Sequence, residues 1–411
     1  MSIRSDLIVG WCPGALRPMK SGDGLIVRVR PRFSRLSLVQ LETLGLAAQR
    51  FGDGNLYLSN RANVQIRGVS AEEHATLLDV LAVANLIDSD PRIEAVRNIM
   101  VSPAVGLSAH AELAAGLVAK LEDALARDEA LYQLPGKFGT AVQEGDEIDP
   151  ASASDVTFLV SQDQIAMVLE GASCRAILFG NTRDATDGFV AVAGAFLRLR
   201  RAQPAIRRMR DAVATLGMDA VSKEAGFSQA AHGIRAANRP APVGDLGGAY
   251  GIGFAFGEVA QAALGELTGL MRQDCIAEAA LSPHRALVFA VHDREKAALQ
   301  ELSVRIGGIT DPNDIRLRVH GCPGSPACLR GTVEARRDAE AVMHALSPAT
   351  FPKGTIHISG CEKLCAYPHS ADITAIGGNG RYTVTGPGPE PRIGVSGAEL
   401  AAVIAELAGA A

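Results

Sequence analysis

The feature that most restricts the fold of this 411-residue chain is an internal repeat. Three landmarks recur in the same order, 217 to 221 residues apart. They are Asp90-Pro91 with Asp311-Pro312, Ser102-Pro103 with Cys322-Pro323, and Asp155-Val-Thr157 with Asp372-Ile-Thr374. Chance similarity of short pieces is less able to preserve both order and spacing, so the sequence predicts two copies of one architecture.

Each copy begins with the same succession of elements. Hydrophobic spacing predicts strand, helix, strand, helix over Gly24–Ile87, and the pattern returns from Gly251 to Val291. Ala225–Gly251 is rich in glycine, alanine and proline and predicts a linker. A long helix is predicted from about Ser108 to Arg127.

These elements predict an α/β (α+β) protein with two pseudo-symmetric halves. Each half is a small ferredoxin-like unit followed by a larger mixed α/β domain, arranged around a pseudo-two-fold axis. The predicted segments are an N-terminal arm with half-domain 1 (residues 1–88), mixed domain 1 (89–224), the linker with half-domain 2 (225–305), and mixed domain 2 (306–411).

Four of the seven cysteines form two short pairs, Cys322 with Cys328 and Cys361 with Cys365. Two such loops can supply the four thiolates of a [4Fe–4S] cluster. Zinc sites usually pair cysteines two to four residues apart, so the five-residue gap in the first pair fits zinc poorly. Two disulfides or four unrelated buried thiols are the other interpretations. The remaining thiols, Cys12, Cys174 and Cys275, are most simply unpaired.

Two predicted strands carry basic faces in the half that lacks these cysteine pairs. Alternation places Arg28, Arg30 and Arg32 on one face of Gly24–Arg32. It places Arg61, Asn63, Gln65 and Arg67 on one face of Asn55–Arg67. A solvated sheet face is the simple interpretation, but arginine also binds carboxylates in a bidentate manner. A large polycarboxylate would suit this density of guanidinium groups.

Composition sets the remaining limits. A net charge of −5 argues against a general binder of nucleic acid or membrane surfaces. We find no signal peptide and no stretch long and apolar enough to span a membrane, so the expected location is the cytoplasm. An odd number of cysteines suits a reducing compartment. No dinucleotide fingerprint stands out, so electrons are expected from an external donor.

Four motifs resemble the sirohaem sulfite/nitrite reductase superfamily across most of the chain. They are Leu58-Ser-Asn-Arg-Ala-Asn-Val-Gln65, Arg97-Asn-Ile99, Leu134-Pro-Gly-Lys-Phe138 and the cysteine set. The resemblance implies a [4Fe–4S] cluster on Cys322, Cys328, Cys361 and Cys365, and it implies that Arg61, Arg97 and Lys137 surround the substrate. Sulfite reductases have a second lysine where this chain has Gly139, which argues against sulfite.

The chain is also short for the reductases. Its Trp11-Cys-Pro-Gly14, Gly22-Asp-Gly-Leu25 and Lys137-Phe-Gly139 motifs more closely resemble the oxygen-dependent members that act in aerobic cobalamin synthesis. That resemblance implies a monooxygenase that uses O2 to hydroxylate precorrin-3A at C20 and form a γ-lactone. It also implies a mononuclear non-haem iron besides the cluster, with reducing equivalents from NAD(P)H through an external donor. The sequence shows no ligands for that second iron.

Arg28, Arg30, Asn63, Gln65 and Arg67 are the residues expected to bind the acid groups of this tetrapyrrole. Two alternatives remain from the sequence: a sirohaem-dependent nitrite or sulfite reductase, and a non-enzymatic iron–sulfur protein for electron transfer or redox sensing.

Overall fold

A computed structural model describes residues 12–104, 110–162, 164–172, 175–227, 232–237, 239–346, 351, 353–367, 369–388 and 390–409. Trp11, Cys174 and the predicted helix start at Ser108 lie outside these residues.

Half-domain 1 and half-domain 2 contain the same elements in the same order. The first comprises β1 (Met19–Ser21), β2 (Gly24–Val29), β3 (Arg35–Ser37), α1 (Leu38–Phe51), β4 (Leu56–Leu58), β5 (Val64–Val69) and α2 (His74–Val83). The mixed domain that follows it comprises α3 (Pro91–Val96), β6 (Ile99–Val101), α4 (Ala111–Arg127), β7 (Thr140–Glu144), β8 (Glu147–Ile148), β9 (Val156–Val160), β10 (Ile165–Leu169), β11 (Arg175–Phe179), α5 (Thr182–Ala202), α6 (Met209–Leu216) and α7 (Met218–Glu224).

After a short connection, the second half follows the same plan as the first. Short strands β12 (His232–Gly233) and β13 (Arg235–Ala236) lead to β14 (Gly244–Asp245), β15 (Ala249–Gly253), β16 (Glu258–Val259), α8 (Gln261–Gln273), β17 (Glu278–Ser282), β18 (Ala286–Ala290) and α9 (Asp293–Arg305). Mixed domain 2 comprises α10 (Ile315–Arg318), β19 (Val319–Gly321), α11 (Ala335–Ala345), β20 (Ile356–Ser359), β21 (Ile373–Gly378), β22 (Arg381–Thr385), β23 (Arg392–Val395) and α12 (Gly397–Gly409).

The half-domains exchange one strand each. The sheet of half-domain 1 has the order β1–β2–β5–β4–β16, and that of half-domain 2 the order β14–β15–β18–β17–β3. In each half the exchanged strand follows a tight turn, in which Phe33 and Phe256 have φ of 55° and 56°. The exchange is thus reciprocal, as a two-fold axis requires.

The sheets of the mixed domains repeat as well. The order β6–β7–β9–β10–β11 in the first corresponds to β19–β20–β21–β22–β23 in the second. In both, the first three strands are parallel and the last two pairings are antiparallel. The predicted duplicated α/β fold is confirmed, whereas its division at residues 88, 224 and 305 stays a prediction.

One hydrophobic core joins the two half-domains, and each mixed domain has its own core. Helix α1 begins at a capping box in which Ser37 and Gln40 satisfy each other's backbone amides. It buries Leu44, and α8 buries Leu267, in the shared core. A Cβ on Gly45 would lie 2.6 Å from Leu264, so glycine permits this close helix contact.

Three expectations from the sequence differ from the structure. Asn55–Arg67 is a hairpin rather than one strand, because the chain turns between β4 and β5 with Ala62 at φ 51°. Arg32 lies after β2 in a 3-10 turn and is exposed, so it leaves the face of Arg28. The buried strand Ala249–Gly253 lies largely inside the predicted linker, since glycine-rich composition concealed its pairing with β18.

Among the described residues, no helix combines the length and apolar character that crossing a membrane requires.

Candidate functional site

The four paired cysteines lie on two loops that meet at one edge of a sheet. The first loop follows β19 and the second follows β20, and these strands are parallel neighbours. Neighbouring parallel strands end at the same edge, which brings the loops that follow them together. Thr332 N–H donates to the Gly360 carbonyl over 3.0 Å and so ties the loops to each other.

The thiols share one electrostatic environment. Burial raises the pKa of Cys322, while backbone amides of Gly360 and Gly324 lower it. Gly360 N–H donates to Cys322 Sγ over 3.1 Å. The pKa of Cys365 is raised to about 11 by burial, and by the charges of the other three cysteines. The thiols therefore act on one another electrostatically, and metal binding would have to release their protons.

Glycine residues allow the two cysteine loops to approach each other closely at this edge. A Cβ on Gly360 would lie 3.1 Å from Gly324 Cα and 3.3 Å from Gly331 Cα. A Cβ on Gly331 would lie 2.6 Å from the Gly324 carbonyl carbon. Four thiols gathered in a glycine-lined niche with amide donors fit the donor set of a [4Fe–4S] cluster.

Half-domain 1 holds the first cysteine loop in place. The Ala327 carbonyl accepts from Ser21 Oγ at 2.6 Å, Gly22 N–H at 3.1 Å and Arg67 Nη2 at 3.1 Å. Arg67 also forms an ion pair with Asp23 at 2.8 Å and is only 7% exposed. Arg67, expected to bind substrate, is thus committed to protein partners that position the cysteine loop.

Arg61 and Lys137 are brought together from different domains. Arg61 lies on the turn between β4 and β5, and its Nη2 donates to the Lys137 carbonyl over 2.7 Å. Burial lowers the pKa of Lys137, and Lys363, Arg208 and Arg61 lower it further. Lys363, which lies between Cys361 and Cys365, also lowers the pKa of the Cys365 thiol, so its charge acts both on Lys137 and on the second cysteine loop.

We call the region of Arg28, Arg61, Lys137, Lys363 and Cys365, which act on one another electrostatically, the basic cavity. Lys137 and Cys365 are exposed to solvent, yet protein atoms surround both closely enough to desolvate them. Groups that are both accessible and surrounded line a concavity. The pKa of Arg28 falls to about 10 through burial and the neighbouring charges of Arg30 and Arg61. Repulsion among these cations favours an anionic ligand.

Gln65 and Asn63 border the same sheet face. Gln65 pairs with Arg28 across β2 and β5. Asn63 is buried, and its Nδ2 donates to Asn98 Oδ1 over 3.1 Å. A Cβ on Gly139 would lie 2.5 Å from Ser154 Oγ and 3.3 Å from Asn98 Nδ2, so a lysine cannot fit there without displacing this group.

Arg97 and Arg30 point into protein rather than into the basic cavity. Arg97 is 4% exposed, and its guanidinium group binds Asp88 at 2.9 Å and Glu122 at 3.4 Å. It also donates to the Arg30 carbonyl over 3.0 Å. Arg30 donates through Nη1 to the Glu94 carbonyl. The structure therefore gives Arg97 a supporting position behind Arg30.

Sequence reasoning missed Lys363 and Arg285. Arg285 Nη2 donates to the Ala366 carbonyl over 2.8 Å, beside Cys365. Arg285 has φ 60° at the hairpin turn that corresponds to Ala62. Aligning the two hairpins could have found Arg285, whereas Lys363 carries no signal beyond its place between two cysteines.

Among the described residues, no three histidine, cysteine, aspartate or glutamate side chains are arranged to hold a single metal ion. A cluster distributes its thiolates over several irons, so this finding does not bear on the cysteine niche. The mononuclear iron that the resemblance implies has no fitting ligand set in this part of the chain.

The chain is similar to one protein-family model and to several known proteins. Residues 17–84 match the model of the nitrite/sulfite reductase ferredoxin-like half domain. A precorrin-3B synthase from Sinorhizobium sp. is 26% identical over 395 residues, which cover 91% of this chain and 82% of that protein. A ferredoxin–nitrite reductase from Synechococcus elongatus is 29% identical and one from Leptolyngbya laminosa 25%, each over 48% of this chain and 36% of the reductase.

Among solved structures, Mycobacterium tuberculosis NirA matches with a TM-score of 0.70 and 20% identity, covering 93% of this chain and 79% of NirA. That likeness concerns the fold. The resemblance read from the sequence is confirmed: the chain is similar to precorrin-3B synthase over most of its length, its residues 17–84 match the nitrite/sulfite reductase ferredoxin-like half domain, and its fold is like that of NirA.

Proposed function

We propose that this chain is a precorrin-3B synthase, a monooxygenase that uses O2 to hydroxylate precorrin-3A at C20 with formation of the γ-lactone. The observation that carries the proposal is the basic cavity, in which the Arg61 guanidinium group is held by the Lys137 carbonyl and the charge of Lys363, on the second cysteine loop, acts on Lys137. The precorrin-3B synthase from Sinorhizobium sp. is similar to this chain over 91% of the chain and 82% of its own length, which supports the proposal.

The substrate is a tetrapyrrole with many carboxylates, and the cavity offers cations for them. Arg61 is held by the Lys137 carbonyl, so its guanidinium group is oriented before the ligand arrives. Arg28 carries its charge on the strand face beside Gln65. Arg97 supports this face from behind through the Arg30 carbonyl and is a positioning residue.

Cys322, Cys328, Cys361 and Cys365 would hold a [4Fe–4S] cluster, which supplies single electrons when bound. The chain's own groups prepare that edge. Gly360 N–H donates to Cys322 Sγ, and Arg285 fixes the Ala366 carbonyl beside Cys365. The reducing equivalents would come from NAD(P)H through an external donor.

Turnover of precorrin-3A under ¹⁸O2 tests the reaction. We expect one ¹⁸O atom in the C20 hydroxyl group of the product, measured by mass spectrometry. Product that lacks the label would contradict the monooxygenase. Arg61→Ala is expected to weaken substrate binding about tenfold to a hundredfold, the loss of one charge-assisted hydrogen bond. Arg183→Ala, on an exposed residue of α5, is the matched control.

A sirohaem-dependent nitrite reductase is the second candidate, because the partial relatives are nitrite reductases and the fold is shared with NirA. An absorption spectrum of anaerobically purified protein from a host that makes sirohaem separates the two. Broad iron–sulfur absorption without a Soret-type band supports the synthase. A macrocycle band that survives gel filtration supports the reductase instead.

A further inference from the structure

A cavity of about 450 Å³ opens on mixed domain 1, between helix α5 and the 3-10 turn Glu129–Gln133. Sites for small molecules typically enclose about 300 to 1,000 Å³. Arg198, Arg200 and Arg201 line one side, and no carboxylate group of the described residues lines any part of it. None of the residues of the basic cavity borders it. The cavity is therefore a separate site with a positively charged lining.

The guanidinium group of Arg198 is oriented by the protein before any ligand binds. Its Nε donates to Glu224 Oε1 over 2.7 Å, and its Nη2 donates to the Glu224 backbone carbonyl over 2.7 Å. Its Nη1 lies 3.5 Å from where a Cβ on Gly194 would be. Gly194, Arg198 and Arg201 are four and three residues apart, so they lie on one side of α5. The helix thus presents an oriented cation above a bare stretch of backbone.

Gly194 keeps the floor of the cavity open. It lies within the 21-residue helix α5, where glycine is among the least favourable residues. A Cβ at this position would meet only Arg198 Nη1, at ordinary contact distance, and the backbone there is not left-handed. Neither packing nor backbone geometry therefore requires glycine. The missing side chain leaves room for a ligand.

Two positive charges of the lining have no counter-charge within the described part of the chain. Arg200 and Arg201 form no ion pair there. Glu129, the one acid of the facing turn, forms an ion pair with Arg92 at 3.9 Å instead. Neighbouring cations repel each other, and an anionic ligand would relieve that repulsion.

From these observations we infer that the cavity binds an organic phosphate of nucleotide size. The phosphate oxygens would accept hydrogen bonds from Arg200, Arg201 and Nη1 of Arg198, and the organic part would lie over Gly194. The inference goes beyond the proposed function, because these residues take no part in the basic cavity.

Phosphate suits this lining better than carboxylate. A phosphate group carries roughly two negative charges and presents three acceptor oxygens. Guanidinium groups bind such oxygens through pairs of parallel hydrogen bonds. Two linked phosphates would therefore balance three arginines within a small space, whereas a carboxylate carries one charge. Leu197, Ala130 and Pro204 offer apolar surface to the organic part of the ligand.

Isothermal titration calorimetry of the full chain, purified anaerobically, tests the inference. ADP is the probe, adenosine has the same organic part without the charge, and citrate carries three carboxylates. We expect ADP to bind at one site and the other two to bind at least about tenfold more weakly. Absence of ADP binding would overturn the inference, as would equal affinity for ADP and citrate.

Two kinds of variant locate the site. Arg201→Ala should lower the affinity for ADP about tenfold to a hundredfold, the loss of a hydrogen bond to a charged group. Gly194→Leu removes no charge but fills the floor of the cavity, and should lower the affinity about tenfold or more. Leucine is a better helix former than glycine, so this variant is expected to fold. Arg183→Ala, at the other end of α5, is the matched control and should bind ADP unchanged.

Arg61→Ala distinguishes this cavity from the basic cavity. It should leave the affinity for ADP unchanged, because Arg61 does not border the site between α5 and the facing turn. Loss of ADP binding in Arg61→Ala, with binding retained in Arg201→Ala, would place ADP in the basic cavity and overturn the inference. Undiminished binding by Gly194→Leu would overturn it as well. Neither outcome bears on the turnover of precorrin-3A, which tests the proposed function.

Discussion

The loops that follow β6 and β19 share a backbone and differ in chemistry. Ser102 N–H donates to the Val142 carbonyl on β7, and Cys322 N–H donates to the Ile358 carbonyl on β20. The first copy offers a hydroxyl group at this place and the second a thiol. The repeated fold thus delivers either side chain to the edge of a sheet, and in the second copy the thiol joins three further cysteines.

A pair of arginines shows the same divergence. Arg97 and Arg318 both end a short helix that precedes the first strand of a mixed domain. Arg97 is satisfied by Asp88 and Glu122. The guanidinium nitrogens of Arg318 have no hydrogen-bond partner among the described residues and lie over Phe351, 5.4 Å from Arg318 Cζ to the ring centre. Both copies carry the cation, but Arg97 forms ion pairs with two carboxylates, whereas Arg318 is only within electrostatic range of Asp314.

The largest effect is expected at the thiols that distinguish the copies. Cys361→Ser removes one of four ligands and should abolish both the bound cluster and turnover, because an alcohol is a poor substitute for a thiolate ligand. Iron and acid-labile sulfide analysis checks this, with Cys275→Ser as the control that retains both. A variant with the full complement of iron and sulfide would contradict the predicted ligand set.

The two arginines should respond unequally to the same substitution. Arg97→Met leaves two buried carboxylates without their main partner and should lower the free energy of unfolding by about 3–5 kcal/mol. Arg318→Met should change it by less than about 1 kcal/mol, since a cation–ring contact and an attraction to Asp314 without a hydrogen bond are lost. Urea unfolding measures both. Equal losses would show that Arg318 has partners comparable to those of Arg97.

The pH dependence of ligand binding tests the role of Lys137. Its pKa is lowered by burial and neighbouring cations, so its charge is lost as pH rises at values below the usual ~10.4 of lysine. The affinity of the protein for uroporphyrin III, an octacarboxylate tetrapyrrole, should therefore decline with rising pH at values below the ordinary pKa of lysine, because Lys137 loses its charge there. Lys137→Arg should retain its affinity as pH rises. Lys120→Arg, a control on α4, should show the same decline as the unaltered protein. Identical profiles for all three proteins would contradict this role of Lys137.

The smallest effect is expected at Arg32, the arginine that leaves the strand face. Its side chain is 55% exposed and pairs with the same Asp88 and Glu122 that hold Arg97. Arg32→Ala should lower stability by at most about 1 kcal/mol, and less in high salt. Arg127→Ala, which breaks an exposed pair with Asp123, is the matched control. A loss as large as that of Arg97→Met would mean that Arg32 is the main partner of these carboxylates.

Local patterns were enough to predict the repeat, the helix between the first two strands, and the basic strand that carries Arg28. The hairpin formed by β4 and β5 was not predicted, because the left-handed position of its turn is occupied by Ala62. Glycine or asparagine at that position would have indicated a turn. The strand exchange was not predicted from the sequence, because β3 and β16 pair with residues more than 200 positions away.

Side-chain partners were harder to foresee than elements. Arg61 and Arg97 look alike in the sequence, yet one borders a cavity and the other is enclosed by two carboxylates. Asp88 and Glu122 reach Arg97 from outside its helix, so no local pattern distinguishes the two arginines. The contact of Arg61 with the Lys137 carbonyl likewise depends on how two domains pack.

The reciprocal exchange of β3 and β16 has a consequence for the origin of the chain. A single copy would lack one edge strand of its sheet and would carry a spare strand that fits only an identical neighbour. Two separate copies would complete each other as a swapped homodimer. The 411-residue chain therefore has the form of such a dimer fused end to end, and the fusion freed each copy to specialise. Co-expressed halves divided in the segment before β14 should reassemble, whereas either half alone would expose an unpaired sheet edge.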